Sequence, residues 1–179
     1  MKNKNLAFVD VETTGFSPEK NEIIEIACVI VKQNDGALGD IVEEFEFKIR
    51  PERIEDADPG ALAVNGYNEA DWLFAVSLEQ AMATFAEKTK DCIFVAHNVA
   101  FDWSFVAKAF ATTNVENKMF YAKIDTISYA LAKLGKDPEV TRYSLASLCE
   151  RFGITNDKAH TALADTRATV EVYRKLLEL

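Results

Sequence analysis

Four acidic residues, Asp10, Glu12, Asp102 and Asp165, stand in or beside segments that are otherwise apolar, and this placement constrains the fold more than any other feature of the chain. An unpaired negative charge is costly to bury. No lysine or arginine sits next to these acids except Arg167, two residues past Asp165. A fold that buries the apolar segments must therefore supply the acids with a shared positive partner. A divalent metal ion is the economical choice, and it points to phosphodiester chemistry.

Local patterns say where the acids lie. Leu6 to Gly15 (LAFVDVETTG) is an apolar run ending in a Thr-Thr-Gly breaker, which predicts a buried strand over Leu6–Val11. Side chains alternate along a strand, so Phe8, Asp10 and Glu12 share one face and Ala7, Val9 and Val11 the other. Both acids project near the C-terminal end of the strand, where sheets flanked by helices collect ligands. Asp91 to Asn98 (DCIFVAHN) reads as a second buried strand. After it, Asp102 opens a helical stretch in which Val106, Ala109 and Phe110 lie on its own stripe. Asp165, with Thr169, Val172 and Leu176, heads one face of a long C-terminal helix. His160 precedes Asp165 by five residues, which in an unbroken helix is about 140° round the axis. It reaches the same site only from the turn before that helix, and Thr161 is an acceptable N-cap there. A histidine on such a turn suits a proton carrier.

Taken singly, these residues have plainer readings. Asp102 reads equally well as a helix N-cap, Asp10 and Glu12 as acids at a strand end, and His97 as a structural histidine. Asp125, ahead of Thr126, is better read as an N-cap than as a fifth ligand.

The layout is that of one compact domain over residues 1–179, since 49% of residues are hydrophobic and no Pro/Gly/Ser-rich linker divides the chain. Strands are predicted near Leu6–Val11, Ile23–Lys32, Val42–Arg50, Cys92–Ala96 and Met119–Lys123, with a hairpin at Asn34-Asp35-Gly36. Helices are predicted near Leu78–Lys88, Asp102–Ala111, Thr126–Leu134, Leu145–Phe152 and Ala162–Leu177. Ser77 with Gln80 suggests a capping box, Ser144 an N-cap and Gly153 a helix end. The sum is an α/β fold, a mixed sheet covered by helices. The start of the chain lacks a signal-peptide pattern and no apolar run is long enough to cross a membrane, so a cytoplasmic protein is expected. Cys28, Cys92 and Cys149 are widely spaced and read as small core side chains.

Three segments, FVDVETTGFSPEKNEIIEIACVIV, FVAHNVAFDWSFV and KAHTALADTRATVEVYRKL, resemble in order and spacing the three motifs of the DnaQ-like 3′–5′ exonucleases. The match is to the subgroup in which a histidine joins four acids. The segments DTISYALAKLGKD and YSLASLCERFGI are similar to that family's spacer, so the likeness spans nearly the whole chain. It implies a ribonuclease H-like fold with a mixed five-stranded sheet. It also implies that Asp10, Glu12, Asp102 and Asp165 bind metal and that His160 is the general base. Thr13, Thr14 and Gly15 match the turn that approaches the terminal nucleotide. His97, Asn98 and Phe101 match the approach to the second motif, and Leu62 falls where the family sets an apolar wedge against the last base. Around Leu62 the chain keeps Ala-x-x-x-x-Gly-Tyr in place of the commoner His-Gly-Ile.

Oxygen-only ligands suit Mg²⁺ or Mn²⁺ better than zinc. Two such ions roughly 4 Å apart would activate water and stabilise the departing 3′ oxygen. The resemblance implies release of nucleoside 5′-monophosphates. DNA comes first as substrate, by likeness to the proofreading subunit of bacterial DNA polymerase III. The alternatives are the RNA chemistry of the ribonuclease T and oligoribonuclease groups, or a non-catalytic module that binds 3′ ends or a polymerase. Net charge of −9 argues against gripping a long duplex and for local capture of a short single-stranded 3′ end. A DNA polymerase is a candidate partner, although the chain ends at Leu179 directly after the last predicted helix, where the resemblance would place an extension that contacts the polymerase; either the protein works alone or the sequence is part of a longer chain.

Overall fold

The computed structural model of the chain describes residues 1–156 and 161–179. Its centre is strand β1 (Leu6–Thr13), which pairs antiparallel with β2 (Ile23–Asn34) and parallel with β4 (Ile93–Ala96). Strands β3 (Ala37–Lys48) and β5 (Lys123–Asp125) complete a mixed five-stranded sheet in the order β3-β2-β1-β4-β5. The β2–β3 hairpin turns at Asp35 and Gly36, whose φ of 49° and 92° are both left-handed, the geometry that matches the twist of the strands it joins.

Helices cover both faces. On one, α2 (Leu78–Lys88) and α3 (Val99–Thr113) bury Met82, Phe85, Phe105 and Phe110 against Ala7, Val9, Cys28 and Phe94. On the other, α6 (Ala162–Glu178) lays Val170 and Tyr173 over Leu6, Phe8, Val29 and Val95. Helices α4 (Thr126–Leu134) and α5 (Leu145–Phe152) pack Ala130, Leu134 and Leu148 against Ala168, Val172 and Leu176 of α6. The alternation expected along β1 holds: Ala7, Val9 and Val11 belong to the α2–α3 layer, and Leu6 and Phe8 to the α6 layer. Cys28, Cys92 and Cys149 are free thiols in these layers. Among the described residues no helix is long and apolar enough to cross a membrane.

Three elements begin three or more residues from where the sequence predicts, and one helix was not expected. Helix α3 begins at Val99 rather than Asp102, because Asn98 takes a left-handed conformation (φ 73°) that turns the chain into the helix three residues early. Strand β3 begins at Ala37 rather than Val42. It is an edge strand, largely exposed in its first half, so its sequence lacks the apolar alternation that marks a buried strand. Strand β5 is Lys123–Asp125 rather than Met119–Lys123, its extent set by pairing with Phe94, Val95 and Ala96. A short helix, α1 (Pro59–Asn65), stands where none was expected. Asp58 caps it by accepting the Gly60 N–H, Pro59 opens it, and left-handed Gly66 ends it.

The two ladders of β1 differ in length. The one with β2 runs to Thr13, but the one with β4 stops at Phe8 opposite Val95. Beyond Phe8, the β4-facing edge of β1 is open to other partners.

Candidate metal centre

Asp10 and Glu12 continue the α6-facing row of β1, past the point where apolar side chains fill it. Asp165 lies in the first turn of α6. The three carboxylates meet, each offering an oxygen within 4.8 Å of the others. Asn156 Nδ2 donates to Asp165 Oδ1 at 2.6 Å and braces that carboxylate from the segment ahead of α6. Burial pushes Asp10 well above the usual carboxylate range, and the charges of Asp102, Glu12, Asp165 and Glu25 push it further. Glu12 is raised to about 7, first by burial and then by Asp165 and Glu25. Among the described residues, the charged groups that raise these two are all acids. A compact set of hard oxygen donors held at such electrostatic cost fits a divalent cation, which takes the place of the protons.

Asp102 stands apart from that group of three. It is buried to 3% exposure in the first turn of α3, and its Oδ1 accepts the Val11 N–H at 3.2 Å. That donor belongs to the edge of β1 that β4 leaves open. Asp102 thus ends the sheet as a further strand would, approaching from the α2–α3 side. Burial raises it to about 8 against the pull of the Val11 N–H. Its charge in turn lifts Asp10. The sequence reads four acids as one ligand set; among the described residues three bring oxygens within 4.8 Å of one another, while Asp102 acts on Asp10 through its charge and gives its Oδ1 to the Val11 N–H.

His160 lies outside the described residues, while Thr161 is the N-cap of α6 as expected. Thr13, Thr14 and Gly15 form a tightly bonded turn. Thr13 Oγ1 donates to Gly15 O (2.7 Å), Thr14 Oγ1 accepts the Glu22 N–H (2.9 Å), and Asn21 Nδ2 donates to Thr14 O (3.2 Å). A side chain at Gly15 would collide with the Asn21 amide, 2.6 Å from where its Cβ would stand. Helix α1 is tied to this turn, because Asn65 Nδ2 donates to Thr13 O at 3.0 Å. Leu62 of α1 packs on a small cluster of Ile24, Trp72 and Ala75. His97 is half-buried with Nδ1 2.9 Å from Thr126 Oγ1, and burial lowers its pKa. Asp125 caps α4 through the Ser128 N–H (2.6 Å) and also accepts the Val99 N–H (2.7 Å).

Two residues of interest escaped the sequence reading. Phe16, just after the Gly15 turn, is 80% exposed, and its ring meets that of Phe101 edge-on at 6.4 Å. An aromatic residue directly after the Thr-Thr-Gly turn was the available signal. Glu25 is 4% exposed and pairs with Glu12 across the β1–β2 ladder. It lines a cleft of about 510 Å³ with Lys48, Asn65, Trp72 and Arg167. Its signal was one acid inside the buried strand IIEIACVIV.

Comparison with known proteins identifies the family and agrees with the fold. The exonuclease family model of the RNase T type matches residues 7–173. Proteins named Ribonuclease T from Shewanella oneidensis and Shewanella baltica are 35% and 36% identical to the chain, over 92% of it and 78% of their own length. Among solved structures, Exonuclease I superposes with a TM-score of 0.83 at 19% identity, covering 98% of this chain and 41% of that one. E. coli Exonuclease I in complex with a dT13 oligonucleotide gives 0.79 at 18% identity, and covers 97% of this chain and 41% of that one. A zinc-bound form of its single-stranded DNA complex gives 0.80 at 17% identity, with 98% and 42% covered. The chain spans well under half of Exonuclease I, and what is shared is the ribonuclease H-like exonuclease fold.

Proposed function

The chain belongs to the DnaQ-like family of 3′–5′ exonucleases, and on that premise we propose that Asp10, Glu12 and Asp165 hold divalent metal for hydrolysis at single-stranded 3′ ends. The observation that carries this reading is the convergence of three carboxylates within 4.8 Å from segments more than 150 residues apart, at a site where burial and mutual repulsion disfavour their charge. A divalent cation held by these carboxylates would supply positive charge to the attacking water and to the leaving 3′ oxygen.

The chain's own residues do the remaining work. Asn156 holds Asp165 in place. Asp102 fixes the end of β1, and with it the position of Asp10 and Glu12, through the Val11 N–H. His160, in the segment just ahead of α6, accepts the proton of the attacking water, as the family motif assigns it. The Thr13–Gly15 turn offers a rigid backbone to the terminal nucleotide. The exposed Phe16, backed by Phe101, offers a ring on which a splayed base stacks. The acidic chain has little with which to grip a duplex by its phosphates, so a single strand suits it better.

RNA is the first substrate of this reading because the relatives of about one-third identity are named Ribonuclease T. DNA is the second, because the fold neighbours were solved with oligo-dT and oligo-dA. The test incubates the protein with 5′-labelled single-stranded RNA and DNA of equal sequence, with Mg²⁺, Mn²⁺ or EDTA. Shortening from the 3′ end that requires metal supports the proposal. Intact oligonucleotides under every metal condition, from a folded protein, refute it.

A further inference from the structure

Asp125 is an acid that the proposed chemistry leaves unused. Among the described residues it lies outside the set whose oxygens converge for a metal. Its carboxylate instead caps two helices at once. Oδ1 accepts the Ser128 N–H of α4 at 2.6 Å, and Oδ2 accepts the N–H of Val99, the first residue of α3, at 2.7 Å. The first N–H groups of a helix have no partner within it, so each bond meets a need that the helix cannot meet itself. At α3 the need is greater, because its N-cap Asn98 makes no side-chain capping bond. Asn98 also stands in left-handed backbone (φ 73°, ψ 60°), which costs a residue with a Cβ roughly 1–2 kcal/mol. Such a conformation persists where its surroundings over-determine it. Here they do so from both sides: His97 Nδ1 meets Thr126 Oγ1 at 2.9 Å just before Asn98, and Val99 meets Asp125 just after it. One helical turn on, Lys123 Nζ lies over the Trp103 ring, 3.8 Å from its centroid. Residues 123–126 thus grip the opening turn of α3, and that turn carries Phe101 and Asp102. Phe101 backs the exposed Phe16 ring, and Asp102 holds the end of β1 through Val11.

We propose that Asp125 is a positioning residue: by capping α3 through Val99 it sets the place and rotation of the turn that puts Phe101 behind Phe16 and Asp102 against β1. The role deepens the exonuclease reading and rests on it. Asp125 binds neither metal nor nucleic acid; it acts through the two residues that α3 presents.

The test compares Asp125→Ser with the unmodified protein by amide hydrogen exchange, thermal unfolding and steady-state hydrolysis of a 5′-labelled single-stranded oligonucleotide with Mn²⁺. Serine is as good an N-cap as aspartate, so it keeps the bond to Ser128, but its single oxygen leaves the Val99 N–H without an acceptor. The Val99 amide is expected to exchange at least about tenfold faster while that of Ser128 stays protected. The value of kcat/KM should fall about tenfold or more, since a misplacement of about 1 Å caused far from the chemistry can cost about 10²-fold. The part of that loss carried by KM runs through the Phe101–Phe16 pair. Asp125→Ser should therefore raise KM less in a Phe16→Ala background than in the unmodified protein, which general loosening of the fold would not produce. Should Asp125→Ser fail to fold, Asp125→Thr caps α4 in the same way and carries the test; failure of both makes Asp125 a residue of the fold rather than of the site and overturns the proposal. Unchanged kcat/KM in a folded variant overturns the role of Asp125 and leaves the exonuclease reading standing, as does a Val99 amide that stays protected or an equal rise in KM in both backgrounds. Absence of metal-dependent hydrolysis by the unmodified protein overturns this role and the exonuclease reading together.

Discussion

Asp102 Oδ1 accepts the N–H of Val11, a residue 91 positions earlier in the chain. This bond joins the first turn of α3 to the last stretch of β1, where β4 has ceased to pair, and it holds the acid where its charge acts on Asp10. It makes the two functions of Asp102 separable. Asp102→Asn keeps an acceptor for Val11 and removes the charge, so it should fold with nearly unchanged stability while activity falls by roughly one to two orders of magnitude. Asp102→Ala leaves a buried N–H unpaired, which costs about 1–3 kcal/mol in addition. Thermal unfolding and steady-state rates on the two variants check the split.

The acids also predict how stability follows pH. Glu12 rises from an ordinary 4.5 to about 7 and Asp102 from 3.8 to about 8, both chiefly by burial. Raised values mean that the folded protein binds more protons than the unfolded chain. Their contribution is therefore complete below the unfolded values and is lost as pH climbs through the folded ones. In EDTA the melting temperature should fall between pH 5 and pH 8. Mn²⁺ replaces the protons, so the stabilisation it confers should grow across the same window. Differential scanning fluorimetry with and without metal measures both slopes, and a flat EDTA profile would contradict the assignment.

Much of this arrangement is legible in the sequence, for identifiable reasons. Asp35-Gly36 turns the β2–β3 hairpin because these residues tolerate left-handed backbone. Ser77, Asp125 and Ser144 cap helices because their side chains reach the exposed N–H groups. The pairing of Asp10 with Glu12 follows from strand alternation alone. What is not legible depends on tertiary pairing. Asp102 looks like a ligand on its helical stripe, and only the early end of the β1–β4 ladder shows that a backbone N–H claims its carboxylate. Glu25 reads as a single interruption of a buried strand until its pairing with Glu12 across the β1–β2 ladder is seen. Helix α1 carried its signals, Asp58, Pro59 and Gly66, in a segment too short to show periodicity.

Phe16 separates binding from chemistry. Its ring is almost fully exposed and contributes little to the core, so Phe16→Ala should leave the melting temperature unchanged. Stacking of a base on an aromatic ring is worth about 1–3 kcal/mol. The variant should raise KM for a single-stranded oligonucleotide roughly tenfold or more, with kcat changed far less. Michaelis profiles with RNA and DNA oligonucleotides decide this, and an unchanged KM would remove Phe16 from the substrate path.

His160→Ala should show the complementary pattern. A general base is typically worth about 10²–10⁴-fold in rate, so kcat should fall by that order while Mn²⁺ affinity stays that of the unmodified protein. A loss of metal affinity together with rate would make His160 a ligand rather than a base. Calorimetry and single-turnover hydrolysis on the same preparation distinguish the two.

The central claim is that carboxylates from the two ends of the chain share a cation. Anomalous diffraction from crystals equilibrated with Mn²⁺ tests it most directly. The account predicts a manganese peak about 2.1 Å from oxygens of Asp10 and Asp165, with Glu12 beside it, and loss of that peak in Asp165→Asn. Manganese bound elsewhere in an active enzyme, with Asp10 and Asp165 uncoordinated, would contradict it.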